Sequence, residues 1–375
     1  MSRRVFRNGW VFSPGVDLLA FVGPVVLAAG VVWGFARAGR LDDEVPPWLF
    51  ALLVVGCDVA HVWGTLFRAY LDPRERARRG GLLLAVPLAA LAVGTTLHAA
   101  DAALFWRILA YAAAFHFVRQ QWGWMAYAGR RAGAVAPIDR ALDRLAVYAS
   151  TVFPLLWWHA NLPRAFAWFV DGDFVAVVPA WAGTVGQAVH FGLLGAWGVR
   201  QVVRVARGLG TNLAQWLVLG TTWVTWYGGI VLLDSDVAFT ASNVLAHGVP
   251  YAVLVHRWGA ARWRGEGGAL PALFRPSGVP AFVLALVALA WVEEAVWDGF
   301  VWHRHGSLFP LPDVTVPEDV LSLLVPMLAV PQATHYVLDA FLWRTGAANP
   351  DLAATLGLGP PRDPQAAAAG PAPTS

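Results

Sequence analysis

The chain has 375 residues, of which 58% are hydrophobic and 14% charged, with a formal net charge of +3 and a mean hydropathy of +0.54. That composition leaves too little polar surface for a water-soluble chain of this length. All basic residues are arginines spread along the chain, which argues against nucleic-acid binding. The single cysteine, Cys57, excludes an intramolecular disulfide, and the absence of lysine excludes Schiff-base chemistry.

Ten apolar segments follow one another along the chain. A hydrocarbon core of about 30 Å requires roughly 20 apolar residues per helix, and these segments approach or exceed that length. They cover residues 16–36, 47–69, 81–99, 103–128, 143–160, 180–203, 213–233, 237–257, 277–297 and 319–343. The first segment lacks an Ala-x-Ala-like cleavage site, so we interpret it as a helix of the mature protein. The predicted fold class is all-α, a polytopic integral membrane bundle of about ten transmembrane helices.

The arginines predict the orientation of this bundle, because cytoplasmic loops retain basic residues in excess. With the N-terminus inside, 21 arginines fall on the inner side and five on the outer side, and Arg119 lies within a span. The excess alternates loop by loop, which requires an even number of spans. We therefore predict that both termini are cytoplasmic and that the protein is integral to a cell membrane, the bacterial inner membrane.

Residues 1–345 are predicted to form a single transmembrane helical domain, since no connection between spans is long enough to fold alone. Residues 346–375 are rich in Ala, Pro and Gly and are predicted to form a disordered cytoplasmic tail. No internal repeat indicates the inverted halves that are typical of many transporters.

Four histidines lie inside apolar spans, where ionisable side chains are costly and usually retained for a task. They belong to the second, fourth, eighth and tenth spans and are His61, His116, His247 and His335. Each lies roughly 8 to 12 residues from the inner end of its span, or about 12–18 Å at 1.5 Å per residue. A single histidine at such a depth is more often a packing residue than a ligand. Four at one depth predict a shared metal or cofactor site in the inner half of the membrane.

Each of these histidines also has a polar companion three or four residues away, and residues at that spacing share a helix face. The companions, in the same order, are Asp58, Gln120, Asn243 and Asp339. A metal-bound imidazole normally donates its second N–H to such an acceptor. We predict this role for all four companions, with Asp58 and Asp339 as alternative ligands and His190 as a candidate fifth histidine.

Arg119 lies in the fourth span within the run Arg119-Gln120-Gln121. An arginine at that depth must be paired or hydrated. We predict a buried ion pair with Asp58 or Asp339, and an anionic group of a substrate is the alternative partner.

Imidazoles with carboxylates and without thiolates suit iron, copper or zinc better than magnesium or calcium. Iron is the predicted metal, and copper and zinc are alternatives. A site of this kind leaves positions open for O₂ and accepts an apolar substrate that enters from the bilayer. The predicted partners are therefore membrane lipids and a lipophilic small molecule.

Isolated histidines on separate spans, here His61, His116, His247 and His335, resemble the arrangement in the bacterial Brp/Blh proteins. Those proteins are polytopic iron-dependent enzymes that cleave β-carotene to retinal. The resemblance is one of architecture and extends over no continuous motif. It implies a histidine-bound iron that activates O₂ for oxidative attack on a carotenoid or another isoprenoid lipid.

Three other functions remain open. A proton- or ion-coupled transporter can use buried histidines with Asp58, Asp339 and Arg119 as a relay. Pro250 and Pro331 lie near His247 and His335, as broken transporter helices require. A bis-histidine haem protein and a purely structural membrane subunit are the further alternatives.

Overall fold

A computed structural model of the chain describes residues 6–7, 9–131, 136–312 and 314–358. The long helices of this part of the chain are α1 (Pro14–Arg37), α2 (Pro47–Tyr70), α3 (Pro73–Ala100), α4 (Ala102–Arg131), α5 (Pro137–Ala160), α6 (Ala180–Ala206), α7 (Leu213–Trp226), α8 (Asp236–Arg262), α9 (Pro276–Trp302) and α10 (Glu318–Leu342). Short helices cover Ala269–Leu273 and Leu352–Thr355. Strand β1 (Phe6–Arg7) pairs in parallel with β2 (Thr211–Asn212).

Six of these helices, namely α1, α2, α3, α8, α9 and α10, are long and apolar enough to cross a membrane. Their outward surfaces carry large apolar side chains: Leu19 is 70% exposed, Leu84 63% and Leu284 68%. Exposed apolar surface on this scale requires a lipid or protein partner. The prediction of a helical bundle is confirmed, and six of its helices suit a membrane protein by length and composition, while the count of ten spans and the orientation stay predictions.

Helix α8 lies at the centre of the bundle. It is 78% buried over its apolar window, whereas the corresponding window of α3 is 11% buried. Small residues make this possible, because Ala241, Ser242 and Gly248 let neighbouring backbones approach closely. Around it α1 packs along α8, α3 along α10 and α5 along α6.

Helix α2 contains two stretches of widened turns, Ala51–Val59 and Leu66–Tyr70, with i to i+5 hydrogen bonds. They flank the short regular segment Ala60–Val62. Widened turns are uncommon and frequently occur at functional sites. Here they change the rotation of α2 on both sides of His61.

The C-terminal segment begins with ordered structure. Residues 346–358 include the helix Leu352–Thr355, and Leu352, Leu356 and Leu358 are buried against α4 and α8. The tail was predicted to start at residue 346, but this first part packs on the bundle. Residues 359–375 lie outside the described residues.

Candidate metal centre

The four histidines selected from the sequence meet in the interior of the bundle. His61 comes from α2, His116 from α4, His247 from α8 and His335 from α10, and none is more than 5% exposed. One ring nitrogen of each lies within 4.8 Å of the corresponding nitrogens of the other three. Four helices that are distant in sequence thus contribute one potential ligand each.

The spacing of the nitrogens suits a single cation. His61 Nε2 lies 3.0 Å from His247 Nε2 and 3.2 Å from His335 Nε2. Two nitrogens bound to one ion at about 2.0–2.1 Å stand about 2.8–3.4 Å apart for angles between 90° and 109°. The two separations from His61 match this spacing, and the ligand nitrogens of all four histidines lie within 4.8 Å of one another.

The protonation of His61 supports the same conclusion. Its Nδ1 lies 3.2 Å from the carbonyl oxygen of Cys57, which can only accept, so Nδ1 carries the hydrogen. In the neutral ring Nε2 then has one lone pair, which cannot accept hydrogen bonds from both His247 and His335. A cation between the three rings would satisfy all three Nε2 atoms at once.

His335 is oriented by Thr65, a residue that sequence reasoning missed. The Thr65 hydroxyl lies 2.8 Å from His335 Nδ1, which leaves Nε2 of that ring directed at His61. Thr65 follows His61 by four residues on α2 and so shares its face. That spacing is the signal by which the sequence could have identified it.

Two carboxylates stand beside the histidines. Asp339 Oδ1 lies 3.8 Å from His335 Nδ1 and Asp339 Oδ2 lies 4.0 Å from His116 Nε2, while Asp58 Oδ1 lies 3.8 Å from His61 Nδ1. Tyr251 OH and Trp343 Nε1 donate to Asp339 at 2.8 and 3.2 Å. Two carboxylates would offset the charge of a divalent cation, which is costly to bury in an apolar interior.

The two amide companions bond elsewhere. Gln120 Nε2 donates to the His247 carbonyl at 3.3 Å, and Asn243 Nδ2 donates to the Phe239 carbonyl at 3.1 Å. His116 Nε2 and His247 Nδ1 have no hydrogen-bond partner among the described residues. The predicted bonds from Gln120 to His116 and from Asn243 to His247 are therefore not among the contacts. Helix α8 receives the Gln120 bond through its backbone instead.

Phe117 forms one wall of the histidine cluster. Its ring stacks on His247 with centroids 3.5 Å apart and an interplanar angle of 9°. Trp168, from the connection between α5 and α6, contacts the same phenyl ring at 5.1 Å. Aromatic packing thus fixes the plane of the His247 ring and separates it from water.

Gly248 permits the close approach of α8 to α2. A Cβ at this position would lie 2.5 Å from the Cys57 carbonyl oxygen and 3.5 Å from His61 Nδ1. Real Cβ atoms do not approach a backbone oxygen so closely. A glycine after His247 is therefore needed to bring His247 and His61 together.

Arg119 differs from its predicted role. The side chain is exposed, and Nη1 donates to the Tyr148 hydroxyl at 2.6 Å. An ion pair with Asp58 or Asp339 is not found among the described contacts. The partner of the guanidinium among the described contacts is instead the Tyr148 hydroxyl on α5.

Two other histidines lie apart from the cluster. His190 Nδ1 donates to the Ala149 carbonyl at 2.7 Å, and its Nε2 accepts from Trp223 Nε1 at 3.0 Å. Both nitrogens of His190 are thus used, and it is not a fifth member. His305 follows α9 and stacks on Phe50 at 3.9 Å, where burial lowers its pKa.

A group of acidic side chains on α9 also escaped the sequence reasoning. Glu293 and Glu294 are each 8% exposed, and Asp298 is buried one turn further along. Trp63 Nε1 donates to Glu293 at 2.8 Å, and Glu294 interacts electrostatically with Glu293, Asp58 and Asp298. Two adjacent glutamates inside the apolar run of α9 were the available signal.

No family model matches the chain, no curated protein is similar to it in sequence and no solved structure matches its fold. The geometry of the site is therefore the basis of the functional argument.

Proposed function

We propose that this protein is an integral membrane metalloenzyme, an iron-dependent oxygenase that acts on a lipophilic substrate. The observation that carries the proposal is the convergence of four buried histidine nitrogens within 4.8 Å of one another. Neutral imidazoles turned toward one point in an apolar interior are the ligand arrangement that a first-row transition metal requires. A polar packing cluster would instead pair each nitrogen with a donor or acceptor of its own.

Iron is proposed over zinc because zinc is redox-inactive, and over copper because histidines with a nearby carboxylate are the ligand type of non-haem iron oxygenases. Bound iron would supply the oxidising chemistry. Thr65 and the Cys57 carbonyl orient two of the ligand rings, and Phe117 excludes water from a third. Asp339 balances charge near His335 and accepts a hydrogen bond from the Tyr251 hydroxyl.

We further propose that α4, α5, α6 and α7 cross the membrane together with the six more apolar helices. The first three have 24 to 30 residues, enough for a hydrocarbon core of about 30 Å. Helix α7 reaches a comparable length because widened turns at Tyr227–Leu232 continue it. The arginine excess on alternate connections supports cytoplasmic termini and a bacterial inner membrane.

A proton-coupled transporter is the second candidate, and the acidic group of Glu293, Glu294 and Asp298 favours it. Buried carboxylates beside histidines are the usual components of a membrane proton relay. Against this, α8 and α10 run without interruption through Pro250 and Pro331. The broken helices of many transporters are thus not seen in either element.

A bis-histidine haem is disfavoured by distance. Its two axial nitrogens bind from opposite faces of a porphyrin, whereas His61 Nε2 lies 3.0 Å from His247 Nε2 and 3.2 Å from His335 Nε2. No porphyrin fits between nitrogens at this separation.

The proposal is tested by metal analysis, an optical spectrum and oxygen consumption with detergent-purified protein. We expect about one iron per chain, no haem absorption band and oxygen uptake that depends on an added lipophilic substrate. His61→Ala should abolish both metal and uptake, while His305→Ala should keep both. Wild-type protein that holds no stoichiometric metal after reconstitution with iron, copper or zinc would overturn the enzyme proposal in favour of transport.

A further inference from the structure

An apolar cavity of about 510 Å³ lies between α1, α2, α8 and α9. Small residues create the space, since Gly56 and Ala60 on α2 face Gly248 and Ala252 on α8. Phe282 on α9 and Val16 on α1 line it, and it opens to the exterior of the bundle at Leu19 on α1 and Val283 on α9, which are 70% and 45% exposed. Ligand pockets for small molecules have volumes of about 300–1,000 Å³, so the cavity is large enough for one apolar chain.

The two ends of this cavity differ in chemistry. One end reaches His61, the histidine at the centre of the candidate metal site. The other end is lined by His256 and Arg257, at the arginine-rich connection between α8 and α9. The ring of His256 contacts the backbone of Leu273 and Arg275, and its Nε2 is buried. No carboxylate is found among the described lining residues.

The depth of the cavity fits an amphiphile. Gly248, beside His61, and Arg257 are nine residues apart on α8, a distance of about 14 Å at 1.5 Å per residue. Arg257 is exposed near the end of the helix, where a head group at the membrane surface would lie. An exposed arginine at one end, with apolar walls beyond it, is complementary to an anionic head on a hydrocarbon chain.

We propose that this cavity binds a single-chain anionic amphiphile, a long-chain carboxylate, with its head at Arg257 and His256 and its chain directed toward His61. A volume of about 510 Å³ accommodates one chain and not the two chains of a phospholipid. The role of this ligand as the oxygenase substrate rests on the proposed function, whereas its binding does not. The site thus distinguishes a charged lipid from a neutral hydrocarbon.

The test uses the full-length protein in phosphatidylcholine nanodiscs and the fluorescent polyene fatty acid cis-parinaric acid. Energy transfer from the protein's tryptophans reports binding. We expect saturable binding at about one fatty acid per chain, and Arg257→Ala should weaken it about tenfold through loss of a charge-assisted hydrogen bond. Arg264→Ala, an exposed arginine in the same connection that does not line the cavity, is the matched control and should bind normally.

A second pair of variants tests the chain-binding part. Val283 lines the mouth of the cavity on α9 and is 45% exposed, while the adjacent Leu284 does not line the cavity and is 68% exposed. Val283→Trp should abolish binding and Leu284→Trp should leave it unchanged, with equal thermal stability of the two variants as the check on folding. Equal binding by these two variants would overturn the proposal.

Two further measurements separate the ligand class and the dependence on metal. The methyl ester of the same fatty acid should bind at least tenfold more weakly than the acid, and phosphatidic acid should compete poorly. An ester that binds as tightly as the acid, or a phospholipid that displaces it, would overturn the single-chain anionic class. His335→Ala should retain fatty-acid binding after losing metal, so that failure of the enzyme proposal and failure of this one are distinguishable.

Discussion

Two regions of the bundle bury histidine in different ways. Between α5, α6 and α7, His190 bonds to the Ala149 carbonyl and accepts from Trp223, so that each ring nitrogen has one partner. Between α2, α4, α8 and α10, His61 Nε2 faces His247 Nε2 at 3.0 Å and His335 Nε2 at 3.2 Å. Both regions are nearly inaccessible to solvent, with His190 1% and His335 0% exposed.

The difference separates a structural histidine from a candidate ligand. Burial and location in an apolar helix are common to both regions and therefore do not indicate function. A satisfied ring stabilises its surroundings, because its polar atoms are paired where they are buried. Rings that direct lone pairs at a common point are stable only when something occupies that point. In His61 the Nδ1 atom bonds to the Cys57 carbonyl, and in His335 it bonds to the Thr65 hydroxyl. These bonds leave Nε2 of each ring directed at the cluster.

The largest expected effect is the loss of metal when one cluster member is removed. His335→Ala should reduce bound metal from about one ion per chain to almost none, because it removes a ligand and a neighbour of His61 Nε2. His190→Ala should retain the full metal content. Mass spectrometric metal analysis of both purified variants measures this difference. Equal metal content in the two variants would contradict the distinction between the two histidine regions.

A smaller effect is expected at the carboxylate beside the cluster. Asp339→Asn keeps the shape but removes the charge that lies 3.8 Å from His335 Nδ1, so metal affinity should fall about 10–100-fold. Chelator competition measures this affinity. The control is Asp351→Asn, because the Asp351 side chain is 81% exposed and does not belong to the histidine cluster. An unchanged metal affinity of Asp339→Asn would show that this carboxylate does not contribute to metal binding.

The bond that orients His335 should contribute less. Thr65→Val removes the hydroxyl at 2.8 Å from Nδ1 with little change in volume, and metal affinity should drop about twofold to tenfold. Thr151→Val, which removes a buried hydroxyl bonded to its own helix at Val147, serves as the control. Equal affinities for the two variants would mean that packing alone orients His335.

The smallest effect on metal, and the clearest effect on stability, is expected at His190. His190→Ala leaves the Trp223 indole N–H and the Ala149 carbonyl without their partner, at a cost of about 1–3 kcal/mol. The melting temperature in detergent should fall while metal content stays constant. A loss of metal at this position would contradict the separation of the two regions.

The candidate ligands were predictable from the sequence because depth in the membrane is a one-dimensional quantity. Counting residues along each span placed His61, His116, His247 and His335 at one level, and the structure brings these four together. Their hydrogen-bond partners were less predictable. Spacing on one helix suggested Gln120 and Asn243, but these bond to the backbone of α8, while Thr65 reaches His335 from another helix.

Arg119 shows that the position of a residue in a span does not predict its contacts. Its position in a span predicted a buried ion pair, yet its side chain turns outward to Tyr148. The sequence states how deep a residue lies but not which way its helix is rotated. The sequence shows Glu293 and Glu294 as two charged residues in an apolar segment. Only the structure, through the contact of Glu293 with Trp63, places them beside α2.

The sequence by itself determined that the chain is a helical membrane protein, because apolar segments of this length have no stable alternative in water and satisfy their backbone only as helices in lipid. It also placed each of the four histidines at a similar distance along its apolar segment, since the rise per residue of a helix is fixed. The tertiary structure decided which helix faces meet, how closely Gly248 lets α8 approach α2 and which ring nitrogens converge. Those features depend on the simultaneous packing of side chains from several helices, which no single segment specifies.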